Sequence, residues 1–184
     1  MPSVIKGLWS DLLTSRKAGF RRLRVDVGQT GFFEGREFRM SRYIDGSAVI
    51  KVVVAVDTIL QVQALTGESG TIEFKAYRAD QGVEGGTFVT SDNDPEMIVL
   101  PNNNMSTAPN YVGVNQFLSG GTFTPSVNEK PTDRFKVVAA TATAQRSSVG
   151  GSAARERGIG AGTYYLVFSG GGVAQYNLVY EERP

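Results

Sequence analysis

Residues 59–78 read Ile-Leu-Gln-Val-Gln-Ala-Leu-Thr-Gly-Glu-Ser-Gly-Thr-Ile-Glu-Phe-Lys-Ala-Tyr-Arg, and this stretch decides the fold class. Apolar and polar side chains alternate on both sides of Gly67-Glu-Ser-Gly70. A period of two is typical of strands with one buried face, and glycine-rich punctuation is typical of turns between antiparallel neighbours. The stretch therefore predicts two strands, 59–66 and 71–78, joined by a short turn.

The same pattern continues over most of the chain from Gly28 onward. Clear strands are predicted at 37–44, 48–56, 134–144, 163–168 and 174–181, and weaker ones at 87–90, 97–100 and 111–117. No alternation of strands with helices is present. We therefore expect an all-β, antiparallel β-sandwich of jelly-roll-like topology over residues 28–184. Surface loops are predicted at 79–84, 102–110 and 146–161, where the sequence is polar or rich in glycine and serine.

The first 27 residues follow a different pattern and are predicted to form an attachment arm. Apolar side chains recur at helical spacing from Val4 to Leu13, and Ser3 is a suitable N-cap. A basic cluster follows, so that residues 1–24 carry six basic side chains and one acidic one, against thirteen and seventeen in the rest of the chain. The sequence predicts a basic, amphipathic helical arm in front of an acidic body.

A helix of this length is marginal in water by itself, so its apolar stripe needs a surface to dock on. Its own domain, a neighbouring chain and a lipid surface are all open as that surface. We expect the stripe to act as a hydrophobic anchor and the basic side chains to orient it. The arm residues predicted to bind a partner are Leu8, Trp9, Leu12, Leu13, Arg16, Lys17, Arg21, Arg22 and Arg24.

The composition leaves few groups for catalysis. The chain has no histidine and no cysteine, which excludes imidazole-based triads, thiol nucleophiles, disulfides and metal sites built from these residues. No apolar run is long enough to span a membrane, and residues 1–24 lack the pattern of a secretory signal. We expect a protein that is made in the cytoplasm, is not an enzyme, and needs no cofactor or metal.

Three features with some chemical potential have simpler interpretations. Asp92, Asp94 and Glu96 alternate and can offer oxygens to a hard cation such as calcium, but Pro95 and Glu96 depart from the calcium-loop pattern, which favours an Asx-type turn. The glycines of 158–162 precede a predicted strand, whereas a dinucleotide loop follows one. The basic cluster of the arm can touch nucleic acid phosphates, but the acidic body favours salt bridges to a partner protein, so nucleic acid is not an expected partner.

Five further segments stand in a characteristic order. They are Gly31-Phe-Phe-Glu-Gly-Arg-Glu-Phe-Arg39, the pair Gly85-Gly86-Thr87 and Gly120-Gly121-Thr122, the stretch from Arg157 to Gly162-Thr-Tyr-Tyr-Leu166, and Tyr180-Glu-Glu-Arg-Pro184. Together they resemble a class of small β-sandwich virion proteins of tailed bacteriophages, over about Gly28 to Pro184. Arg36, Glu37 and Arg39, next to Phe33 and Phe38, are expected to form an ion-pair network with Glu181-Glu182-Arg183; the alternative is an ordinary strand edge with alternating charge.

The resemblance implies a structural component of the virion, such as a capsid decoration or cement protein or an accessory protein of the collar or tail. Its partners would be other virion proteins, and it would form a homo-oligomer, with a trimer common in such proteins. Arg36, Glu37 and Arg39 join the arm residues as expected partner-binding residues. A receptor- or carbohydrate-binding module of a tail fibre or spike, which would recognise a host surface glycan, is the alternative.

Overall fold

Thirteen strands and a single helical turn make up the part of the chain that the structure describes. This computed structural model covers residues 30–101, 111–139 and 147–184, with backbone only for residues 30, 33 and 147–156. The predicted arm at 1–27 and the predicted loop at 102–110 lie outside the described residues. Residues 31–184 form one compact unit. Within the described residues, no helix has the length and apolar character needed to cross a membrane.

The elements follow one another with short connections. The helical turn α1 (Thr30–Phe33) comes first. The strands are β1 (Glu37–Asp45), β2 (Ala48–Val54), β3 (Asp57–Ser69), β4 (Thr71–Arg78), β5 (Gly82–Gly85), β6 (Val89–Thr90), β7 (Met97–Pro101), β8 (Gln116–Ser119), β9 (Thr122–Pro125), β10 (Asp133–Val138), β11 (Ser147–Ile159), β12 (Gly162–Gly170) and β13 (Val173–Arg183). Short 3₁₀ turns occupy Ala79–Gln81 and Ser91–Asn93.

Four antiparallel strand pairs are nested one inside another along the chain. β1 pairs with β13, β2 with β12, β3 with β11 and β4 with β10. Two more pairings, β3 with β13 and β4 with β12, join these pairs side by side. The result is sheet I, with the strand order β11-β3-β13-β1-β7, and sheet II, with the order β10-β4-β12-β2-β8-β6. A separate hairpin sheet pairs β5 with β9.

The hydrophobic core lies between sheets I and II. Tyr176 of sheet I contacts Phe74 and Phe168 of sheet II, with ring centroids 5.5 and 5.1 Å apart, and Tyr180 of sheet I lies 5.3 Å from Phe117 of sheet II. These side chains are buried, while their neighbours along each strand point to the opposite faces. The prediction of an all-β, antiparallel, sandwich-like fold is confirmed.

Two of the predicted loops were wrong. Most of 146–161 belongs to β11, which pairs with β3 and shifts register between Ser152 and Arg157. The prediction failed because glycine and serine contribute no alternating apolar signal, whereas backbone hydrogen bonds to a neighbouring strand do not depend on the side chain. The polar stretch 79–84 forms a 3₁₀ turn and the start of β5, and the predicted strand at 111–117 begins only at Gln116.

Replacing Phe74 with alanine tests the core. The ring of Phe74 is fully buried and stacks on Phe135 at 4.4 Å as well as on Tyr176. Loss of a buried aromatic ring costs about 3–5 kcal/mol, so we expect the free energy of unfolding, measured by urea denaturation, to fall by about that amount. Val127→Ala is the control: Val127 is 89% exposed, and the expected change is below about 0.5 kcal/mol. Similar losses in both variants would contradict this position of the core.

Candidate attachment site

The chain enters the sandwich at one end of sheet I. α1 closes with a backbone hydrogen bond from Arg36 N to Gly31 O of 2.8 Å, and Gly35 takes the left-handed conformation, at φ 73°, that commonly ends a helix. A Cβ atom on Gly31 would collide with the side chain of Glu181 on β13. Glu182 N donates to Arg36 O at 2.9 Å. These contacts fix α1 against β13 at this end of sheet I.

A group of charged side chains is buried beneath this entry point. Glu37 and Glu181 lie opposite each other in the pairing of β1 with β13, and both are buried. Arg36 Nη1 lies 3.6 Å from Glu181 Oε1, and Arg183 Nη2 lies 2.9 Å from Glu181 Oε2. The two guanidinium groups therefore stabilise the buried carboxylate of Glu181 next to that of Glu37. The expected ion pair between Arg36 and the last strand is therefore present.

The structure separates the other members of the expected network. Arg39 is exposed, on the solvent side of sheet I. Phe38 does not clamp the charges, because successive side chains of a strand point to opposite faces and Phe38 points into the core. Its ring stacks on Tyr180, with centroids 5.5 Å apart. Arg36 and Glu37 thus contribute to the entry site, whereas Arg39 remains available on the surface and Phe38 is part of the core.

The buried carboxylate of Glu182 organises the neighbouring loop. It is fully buried and accepts hydrogen bonds from the Tyr111 hydroxyl at 2.8 Å and from the backbone N–H groups of Val114 and Asn115 at 2.9 Å each. Asn115 in turn donates to Thr58 Oγ1 at 2.7 Å. The sequence did not reveal this role, because the donors lie about seventy residues away along the chain. Glu182 thereby ties the loop at 111–115 to the end of sheet I.

Burial of the Tyr111 hydroxyl, together with its hydrogen bond to Glu182, raises the pKa of Tyr111 to about 12. A negative charge on Tyr111 would face the Glu182 carboxylate in a poorly solvated position. The loop at 111–115 is therefore held by a neutral phenol over the whole physiological pH range.

The outer face of sheet I carries little charge among the side chains that the structure describes. Away from the strand ends, its described side chains are Arg39, Ser41, Tyr43, Val62, Ala64, Thr66, Ile98, Leu100, Gln175, Asn177 and Val179. Ser41 donates to Asn177 Oδ1 at 2.9 Å, and Gln175 donates to Ser41 Oγ at 2.5 Å. Ile98 and Leu100 are 54% and 42% exposed. Away from the strand ends, this described part of the face combines apolar groups, hydrogen-bonded amides and one charged side chain, which is suited to contact with another protein surface.

The outer face of sheet II is different in both of its parts. One part carries charged pairs: Lys75 Nζ lies 2.8 Å from Glu73 Oε2, and Arg134 Nη2 lies 2.5 Å from Glu73 Oε1. The hairpin sheet covers the other part, where the Phe123 ring stacks on Tyr165 at 4.1 Å. Because this face is either solvated by charge or already covered, sheet I offers the better docking surface.

The predicted Asx-type turn at Asp94 is confirmed. Asp94 Oδ1 accepts the backbone N–H of Glu96 at 3.0 Å, while Asp94 Oδ2 accepts the Ser119 hydroxyl and lies 2.9 Å from Arg42 Nη1. Burial lowers the pKa of Arg42, an effect that the neighbouring Asp94 and Glu96 oppose. Both oxygens of Asp94 therefore serve to close the edge of the sandwich.

The nine arm residues predicted to bind a partner, Leu8, Trp9, Leu12, Leu13, Arg16, Lys17, Arg21, Arg22 and Arg24, lie outside the described residues. Comparison of the chain with models of protein families, with curated proteins and with solved structures finds no match. The function is therefore inferred from the sequence and from the site itself.

Replacing Glu182 with glutamine tests the loop anchor. Glutamine has the shape of glutamate, but its NH₂ group would face donors that bond a carboxylate oxygen in the wild type. At least one buried N–H would then have no acceptor. We expect the free energy of unfolding in urea to fall by about 1–3 kcal/mol. Glu129→Gln is the control, since Glu129 is exposed and accepts a single hydrogen bond, from Gln81. An unchanged stability of Glu182→Gln would contradict the anchoring role.

Alkaline titration tests Tyr111 separately. The pKa of Tyr111 is about 12 in the folded chain, above its ordinary value of 10.0. The folded state therefore holds this proton more tightly, so its contribution to stability is complete below about pH 10 and is lost as the pH rises through about 12. We expect the unfolding free energy of the Tyr111→Phe variant to fall less than that of the wild type across this range. The same pH dependence of the unfolding free energy in the two proteins would contradict the raised pKa of Tyr111.

Proposed function

We propose that this protein is a non-enzymatic structural component of a tailed-phage virion. It attaches to capsid, collar or tail proteins through its N-terminal arm and through the surface of its sandwich. Three points support the proposal: the sequence resemblance of residues 28–184 to small virion sandwich proteins, the low charge of the described outer face of sheet I, and the contacts that fix α1 at the end of that face.

The strand order supports a jelly-roll topology within this proposal. A jelly roll is a long antiparallel hairpin folded over into two sheets, and the nested pairs β1–β13, β2–β12, β3–β11 and β4–β10 have that order. The strands β5 to β9 are an insertion between the innermost pair, β4 and β10. They extend sheets I and II at one edge and supply the hairpin that covers sheet II.

The proposal rests mainly on the outer face of sheet I, where a second copy of this chain binds. Five strands spaced about 4.8 Å apart and about 30 Å long present roughly 700 Å². Specific interfaces bury about 600–1,000 Å² on each partner, so the area of this face lies within that range. In a homo-oligomer joined here, the arms would reach neighbouring virion proteins.

A lysine at position 175 tests this interface in the full chain. Gln175 lies on the central strand of sheet I, and a lysine there can still donate to Ser41, so folding is preserved while a charge enters the contact. We expect the wild type to be an oligomer by light scattering and Gln175→Lys to dissociate by at least about tenfold in affinity, since a buried unpaired charge is costly. Mass spectrometry of purified virions should show the wild-type chain at stoichiometric copy number and the variant depleted.

Gln116→Lys is the matched control, because Gln116 is exposed on the outer face of sheet II. It should assemble and enter particles like the wild type. A wild-type chain that is absent from purified virions would overturn the structural role. The interface would be contradicted if the wild-type chain were present in virions but monomeric, or if the two lysine variants behaved alike. Attachment would then depend on the arm.

A further inference from the structure

An open cavity of about 500 Å³ lies between the two sheets, at the end where β11 turns into β12. Its inner wall consists of apolar side chains from both sheets: Val52, Leu60, Leu166, Leu178 and Tyr180. Protein interiors normally leave few voids larger than a water molecule, whereas small-molecule sites measure about 300–1,000 Å³. The size of this cavity therefore matches that of a ligand site rather than that of a packing defect.

The polar groups in the wall are mainly bonded to one another. Gln63 Nε2 donates to the Tyr176 hydroxyl at 3.0 Å, and Asn115 Nδ2 donates to Thr58 Oγ1 at 2.7 Å. Such a surface offers water few free partners, and apolar cavities hold water poorly. An apolar chain is therefore the occupant that the interior favours.

The mouth of the cavity has the opposite character. Arg78 and Arg157 both line the cavity, and both side chains are more than half exposed, at 57% and 58%. Asp133 is the carboxylate among the lining residues, and its Oδ2 lies 2.5 Å from Arg157 Nη1. Arg78 is also paired, since its Nε lies 3.3 Å from Asp80 Oδ1. A guanidinium group has five N–H donors, so each arginine keeps exposed donors beyond its ion pair, and guanidinium groups bind carboxylates through paired N–H donors.

The mouth of the cavity is open beside Gly158. A Cβ atom added to Gly158 would meet no atom within 4 Å, so there is free space beside Arg157. The turn that follows is fixed by the Tyr164 hydroxyl, which donates to Gly160 O at 3.0 Å. The entrance is thus an open space with a defined edge next to the arginines.

We propose that this cavity binds an amphipathic carboxylate of the fatty-acid class, with its hydrocarbon chain between the sheets and its carboxylate at Arg157 and Arg78. The apolar wall supplies the affinity, and the arginines fix the orientation. This site is separate from the outer face of sheet I and does not depend on the proposed virion role.

Calorimetric titration of the full chain with decanoate tests the site, with decanol as the uncharged analogue. We expect one saturable decanoate site per chain and weaker binding of decanol. Arg157→Gln should weaken decanoate binding about tenfold, by loss of a charge-assisted contact, and leave decanol binding unchanged. Arg134→Gln is the matched control, since Arg134 is similarly exposed and ion-paired but lies on the outer face of sheet II; it should bind both probes like the wild type.

Filling the cavity tests the location. Ala76→Leu and Leu60→Phe each add bulk to a lining residue, and either should lower the affinity for both probes at least about tenfold while the chain stays folded by circular dichroism. If one of the two variants does not fold, the other still tests the location of the site. Lack of saturable decanoate binding to the wild type, or full binding by a folded cavity-filling variant, would overturn the proposal. Equal losses in Arg157→Gln and Arg134→Gln would overturn the orientation at the mouth.

Discussion

The pairing of the first strand of the sandwich with its last is the constraint on which the rest of the structure depends. Glu37 to Asp45 pair residue by residue with Glu181 to Val173, and β13 also pairs with β3. One face of β13 supplies Tyr176, Leu178 and Tyr180 to the core, and the other supplies Gln175, Asn177 and Val179 to the outer face of sheet I. The same strand therefore contributes side chains both to the hydrophobic core and to the outer face of sheet I.

The end of β13 links this scaffold to the attachment site. Glu181 faces outward under α1, and Glu182 faces the interior and holds the loop at 111–115. Adjacent residues of a strand point to opposite sides, so one short acidic segment anchors two unrelated parts of the chain. The cost of burying these carboxylates is offset by Arg36 and Arg183 on one side and by backbone N–H groups on the other.

The sequence predicted the strands best where apolar and polar side chains alternate strongly. Thr71–Arg78 was predicted with its observed bounds because its alternate positions are Ile72, Phe74 and Ala76. β11 was missed because its glycines and serines carry no such signal, and it is a strand because β3 offers it a free edge. An ion pair between Arg36 and the segment 181–183 was expected, with an ordinary strand edge of alternating charge as the alternative. The outer face of sheet I and the anchoring role of Glu182 were not predicted, since each depends on which strands become neighbours.

The nested order has a consequence for biosynthesis. Each inner pair, β4 with β10 and β3 with β11, can close while the ribosome is still adding residues, but β1 and β3 lack the strand that belongs between them until residues 173–183 have emerged. Until then the nascent chain exposes two unpaired strand edges, which are sites of wrong pairing with other chains. Slow translation before β13 would prolong this exposure, which ends when β13 pairs with β1 and β3.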